Sequence, residues 1–139
     1  MRTWCLRMSC TYEGDKNHIV SQMVEQRDDA GNWKPLEIGN RSPGFLIFVY
    51  SLLTCQHLYM FANAAEHGLE LASSQGTLDL AATEGWMLAD LVVDYTAQLR
   101  SGTPTAEAIE DIRGRMNQCP VSRNIHPSGA HVTRFAITA

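Results

Sequence analysis

The chain has 139 residues, 45% of them hydrophobic, with 11 basic and 15 acidic side chains and a formal net charge of −4. A chain of this size folds as a single domain, 1–139, burying about two-thirds of the surface its unfolded form exposes, and its apolar fraction excludes a disordered chain. The acidic balance, without any run of Lys or Arg, gives no reason to expect a nucleic acid or an anionic membrane as partner.

Met1-Arg2-Thr3-Trp4-Cys5 leads directly into mixed sequence with no apolar signal region, and the most apolar stretch, Phe45 to Leu53, is far short of a membrane span. The expectation is a soluble, cytoplasmic protein whose four cysteines are thiols rather than cross-links. Trp4, Leu6, Met8, Cys10 and Tyr12 alternate with Thr3, Cys5, Arg7, Ser9 and Thr11, the pattern of a half-buried strand over 3–12. Glu13-Gly14-Asp15-Lys16-Asn17 reads as a turn, Ile19 to Val24 as a second strand, and Trp33 to Ile38 as a third, giving an antiparallel meander. After the loop Gly39-Asn40-Arg41-Ser42, Ser42 is the expected cap and Pro43 the first-turn residue of a helix that runs to His67 and stops at Gly68. That helix is apolar on most faces, as expected of a central helix packed on several sides.

Thr77 to Leu80 reads as a strand that could begin near Leu69. Trp86 to Leu99 reads as another, with helix as the alternative over Met87 to Val93. Thr105 caps a second helix ending near Gln118, which Cys119-Pro120 interrupts. A short helical turn restarts over Pro120 to Asn124, Pro127-Ser128-Gly129 turns the chain, and His131 to Thr138 is a final strand. Three strands, a long helix, two strands, two helical pieces and a strand make an α+β domain.

The cysteines are 5, 45 and 64 residues apart, spacings that match no zinc or CxxC pattern. If Pro120 opens a helical turn, Cys119 is its cap, beside unpaired N–H groups that favour thiolate, with Arg123 four residues on. The plainer alternative is a buried structural cysteine. Cys55 lies mid-helix near Leu52, Leu58, Tyr59 and Ala62, where a cysteine is by default a small hydrophobe. Cys10 belongs to the core face of the first strand and Cys5 to the other. The five histidines form no metal spacing and read as surface or end-of-element residues. Ser51 and Ser122 have no base that sequence identifies.

Cys119-Pro120-Val121-Ser122 resembles a motif of the OsmC/Ohr family of peroxide-detoxifying thiol proteins. Gly39-Asn40-Arg41-Ser42-Pro43 followed by Cys55 is similar to the family's lead-in to its central-helix cysteine. Tyr12-Glu13-Gly14-Asp15 and Glu84-Gly85-Trp86 resemble two further family turns. The resemblance implies an OsmC-like fold and an intertwined homodimer with sites near the interface. It also implies a peroxidatic Cys55 that forms a sulfenic acid, a resolving Cys119 that closes a disulfide, no bound cofactor, and an external dithiol reductant. The substrate implied is an organic hydroperoxide or hydrogen peroxide. The chain departs from the family pattern at Lys16-Asn17-His18-Ile19, where an arginine is absent, and at Gly44-Phe45, where a glutamate is absent. Arg41 is the candidate for the missing charge. The competing reading is a non-catalytic dimer of the same fold that binds a small hydrophobic molecule or senses oxidation.

Overall fold

The computed structural model describes residues 1–125 and 130–139. Its strands are β1 (Arg2–Glu13), β2 (His18–Arg27), β3 (Trp33–Pro35), β4 (Glu70–Ala82), β5 (Leu88–Ser101) and β6 (Ala130–Thr138). Helix α1 spans Gly44–Glu66, α2 spans Ala106–Met116, and a short 3-10 turn covers Ser122–Asn124. The strands form one sheet in the order β3-β2-β1-β4-β5-β6. Neighbours are antiparallel except β5 and β6, which are parallel. A parallel pair needs a crossover, and α2 with the turn after it provides one. This connection brings Cys119 back over α1.

The period-two pattern of β1 is realised: Leu6, Met8, Cys10 and Tyr12 are buried, while Ser9 and Thr11 face away. Leu78 and Leu80 of β4 and Leu91, Val93, Tyr95 and Ala97 of β5 extend the same face. The β1–β2 turn is pinned at Asn17, whose Nδ2 donates to the carbonyls of Phe61 and Leu69, each at 3.1 Å. Its Oδ1 accepts the Leu71 N–H at 2.8 Å.

Several boundaries differ from the expectation. The third strand ends at Pro35 rather than Ile38, since proline offers no ladder donor. β4 begins at Glu70, the earlier of the two starts considered, and Met87 to Val93 is not helical. The pairing of β5 with both β4 and β6 outweighs its local ambiguity. Thr105 caps α2 as expected, its Oγ1 accepting the Ala108 N–H at 3.1 Å, and α2 ends at Met116. Ser42 does not cap α1. Its Oγ accepts the Gly39 N–H at 2.9 Å and closes the preceding turn, leaving Pro43 at the cap position. The turn expected at Pro127-Ser128-Gly129 lies outside the described residues.

Helix α1 is packed on one side within this chain, not on several. Val49, Leu52, Leu53, Gln56, His57, Met60, Asn63 and Ala64 are buried, whereas Ile47 and Leu58 are exposed. The helix is 23 residues long and apolar enough to cross a membrane by length and composition, although 33% of its most apolar window is buried inside the fold. The stretch read from sequence as too short for a span is therefore part of a longer apolar helix.

Gly76 on β4 faces Tyr95 on β5, and a Cβ there would lie 2.3 Å from Tyr95 Cε1. The Tyr95 ring fills that space, stacks on His57 with centroids 6.0 Å apart, and donates its hydroxyl to the Leu53 carbonyl. Gly76→Ala must displace this ring and is expected to cost about 1–3 kcal/mol of stability, as overpacking does. Urea unfolding checks this, and an unchanged midpoint contradicts it.

Candidate functional site

Cys55 sits on α1, in the half of the helix that carries both buried and exposed apolar side chains. Cys119 lies three residues beyond the end of α2 at Met116, just before Pro120, which cannot continue a helix. The two thiols come near each other: the Cys119 side chain and the Val121 backbone N–H are the neighbouring groups that act on the Cys55 sulfur. Both cysteines are free. Cys119 is fully buried, while Cys55 is only partly so. A small reactant therefore has access to Cys55 first.

The capping geometry expected at Cys119 is present. Its Sγ accepts the Ser122 N–H at 3.3 Å and lies 3.1 Å from Ser122 Oγ. Its carbonyl accepts the Arg123 N–H at 3.0 Å, so one helical turn follows Pro120 although regular structure covers only Ser122–Asn124. The Arg123 side chain is exposed and makes no hydrogen bond to either sulfur among the described residues.

Burial pushes the Cys55 thiol up to about 11, with the neighbouring Cys119 adding to the rise and the Val121 N–H opposing it. Among the described residues, no cationic side chain is among the groups acting on Cys55. Arg41 is exposed in the loop ahead of α1. At 1.5 Å per residue the start of α1 at Gly44 is about 16 Å along the axis from Cys55, and no hydrogen bond or ion pair joins Arg41 to the site among the described residues.

Sequence reasoning missed the residues behind the thiols. Gln56 is 2% exposed, and its Nε2 donates to Ser122 Oγ at 3.0 Å and Thr133 Oγ1 at 3.1 Å. Thr133 Oγ1 in turn donates to Asn117 Oδ1 at 2.7 Å. A cavity of about 50 Å³ adjoins this group, with His131 on its wall. A polar residue directly after Cys55 in an apolar helix was the available signal for Gln56.

His57, read as a surface or end-of-element residue, is instead buried mid-helix, with Tyr12 Oη 2.6 Å from its Nε2 and Ser74 Oγ a further 2.5 Å from that hydroxyl. Burial lowers its pKa to about 4, so it is neutral at pH 7. Cys10 is buried, as expected. Cys5 lies on the opposite face of the sheet, where burial and Asp79 push its thiol up to about 11. Neither joins the Cys55–Cys119 pair. Among the described residues, no three His, Cys, Asp or Glu side chains gather as a metal-binding group.

No family profile and no curated protein matches the sequence. The structure does match solved ones. An OsmC-like hydroperoxide resistance protein from Jannaschia sp. CCS1 aligns with a TM-score of 0.54 at 14% identity, covering 89% of this chain and 87% of that one. An OsmC-like protein from Mycoplasma pneumoniae aligns with a TM-score of 0.55 at 8% identity, covering 84% and 89%. An OsmC-like protein of unknown function from Vibrio cholerae aligns with a TM-score of 0.52 at 14% identity, covering 82% and 83%. Identities this low speak to architecture alone, and the strand and helix order agrees with them: the chain has the OsmC-like fold.

Proposed function

We propose that the chain is a thiol-dependent peroxidase that reduces organic hydroperoxides, or hydrogen peroxide, through Cys55 and Cys119. The observation that carries this reading is the near approach of two thiols 64 residues apart on separate elements, one partly exposed and one buried. The Cys55 thiolate attacks the peroxide oxygen, the O–O bond breaks, and the alkoxide takes a proton and leaves as the alcohol. Cys55 becomes a sulfenic acid. Cys119 then attacks the Cys55 sulfur, water leaves, and a disulfide remains for an external dithiol to reduce. Apolar side chains near Cys55 on α1, Leu58 and Tyr59 among them, suit the alkyl part of an organic hydroperoxide.

A homodimer belongs to the same proposal. Ile47 and Leu58 on α1 and Ile19, Val20 and Met23 on β2 are exposed apolar side chains. His18 to Met23 of β2 are exposed on both faces of the strand. A second copy laid over them would cover the free side of α1. Because Arg41 is remote from Cys55 of its own chain, its proposed role as the thiolate's counter-charge requires the second copy.

The test is chemical trapping. Cys119→Ser treated with one equivalent of cumene hydroperoxide is expected to hold a sulfenic acid on Cys55, captured by dimedone. The parent chain is expected to give a Cys55–Cys119 disulfide and no dimedone adduct. The elevated Cys55 thiol favours a second reading, a non-catalytic dimer that binds a small hydrophobic molecule or senses oxidation slowly. Absence of both the adduct and the disulfide would transfer support to it.

A further inference from the structure

The sulfurs of Cys55 and Cys119 have different surroundings, and the difference bears on how a disulfide between them would be opened, an inference that rests on the proposed pairing of the two thiols. Thiol–disulfide exchange depends on which sulfur the incoming thiolate can reach and which can leave with the electron pair. Access favours attack on Cys55, since Cys119 is fully buried. Departure favours Cys119, whose sulfur faces the Ser122 N–H at 3.3 Å and the Ser122 hydroxyl at 3.1 Å.

Gln56 sets the direction of that hydroxyl. Its Nε2 donates to Ser122 Oγ at 3.0 Å and occupies a lone pair; the Cys119 thiol donates to the same oxygen at 3.1 Å, and once Cys119 is a thiolate the Ser122 hydroxyl hydrogen turns to the sulfur. Thr133 Oγ1 lies 2.7 Å from Asn117 Oδ1, the shorter of its two acceptors beside Gln56 Oε1 at 3.4 Å, and with its hydrogen on Asn117 it accepts from Gln56 Nε2 at 3.1 Å. Gln56 itself is 2% exposed, while Ser122 and Thr133 are partly buried and the Thr133–Asn117 end of the network reaches solvent. We propose that Gln56 is a positioning residue and Ser122 the donor of a thiolate-receiving site, so that reduction proceeds by attack on Cys55 with Cys119 as the leaving group.

The step balances. One thiolate of a dithiol bonds to Cys55 Sγ as the Cys55–Cys119 bond breaks, and the electron pair stays on Cys119 Sγ, where the Ser122 N–H and hydroxyl donate to the thiolate. The second thiolate of the dithiol then attacks its own mixed-disulfide sulfur and expels Cys55. The dithiol ends as a cyclic disulfide, having given two electrons and two protons to the pair.

The disulfide for the test is made with diamide, which requires no peroxidase activity. Oxidised protein is mixed with 2-mercaptoethanol and iodoacetamide, then mapped by peptide mass. The expected result is the mercaptoethanol adduct on Cys55 and the alkyl group on Cys119; the reverse assignment overturns the proposal. Gln56→Met and Ser122→Ala are each expected to slow reduction by dithiothreitol about tenfold. Each is also expected to lower its equilibrium constant about tenfold, a potential about 30 mV more negative, and Ser122→Thr restores both. Ser122→Ala keeps the test open should Gln56→Met not fold. Parent rates and potentials in the variants overturn the roles of Gln56 and Ser122. Failure of diamide to join Cys55 to Cys119 overturns the proposal together with the pairing. A disulfide formed by diamide but not by peroxide removes the peroxidase reading alone, and the map still decides which sulfur is attacked.

Discussion

Arg41→Ala is expected to slow the reaction of Cys55 with cumene hydroperoxide at pH 7 by about 10- to 1,000-fold and to move its pH profile upward. The physical reason is the thiolate fraction. Within one chain, burial and Cys119 hold the Cys55 thiol at about 11, and among the described residues the Val121 N–H alone counters them. At that value about one molecule in 10⁴ carries the thiolate at pH 7. A guanidinium brought within about 4–6 Å by a second copy would lower the pKa by about 1–3 units. Losing it returns Cys55 to the buried value, and the rate then climbs about tenfold per pH unit from pH 7 to 10. Stopped-flow rates across that range check this. Superimposable profiles for the parent and Arg41→Ala remove Arg41 from the site and leave burial as the controlling influence on Cys55.

Acidification from pH 6.5 to pH 4 is expected to cost on the order of 3 kcal/mol of stability through His57 alone. The folded chain buries this imidazole between Tyr12, Phe61 and Tyr95 and depresses its pKa to about 4, whereas the unfolded chain protonates it at about 6.5. A depressed folded value gives stability that is complete above pH 6.5 and lost as pH falls through 4. About 2 kcal/mol should be gone by pH 5, before the carboxylates that fold with lowered pKa, Asp28, Glu110 and Asp111, contribute their share. Urea unfolding at pH 7 and pH 5 measures the loss. His57→Gln, which keeps a hydrogen-bonding group opposite Tyr12, is expected to flatten the dependence over that window. An unaltered slope in the variant contradicts the assignment to His57.

Local pattern was enough for much of the fold. Alternation in β1 was legible because one face meets a core and the other does not. The α2 start was legible because Thr105 has a defined capping role. Helix α1 was harder. Its exposed side is nearly as apolar as its buried side, so periodicity could not say which side faces inward. The exposed Ile47 and Leu58 thereby masked the inward Gln56 and His57. The cap at Cys119 was readable from Pro120, yet its meeting with Cys55 was not. That contact depends on α2 crossing back to a parallel β6, a tertiary event that no spacing encodes; the family resemblance suggested it. Ser122 was visible in the motif but given no partner, because Gln56 lies on a different element and no spacing brings it near.

The most direct test is to mix fully reduced protein with cumene hydroperoxide, and separately with hydrogen peroxide, in a stopped-flow instrument and to count free thiols afterward. Rapid loss of two thiols per chain is expected, faster with the organic peroxide and abolished in Cys55→Ser. Oxidation no faster than that of a free thiol, with Cys55 unmodified, would contradict the account.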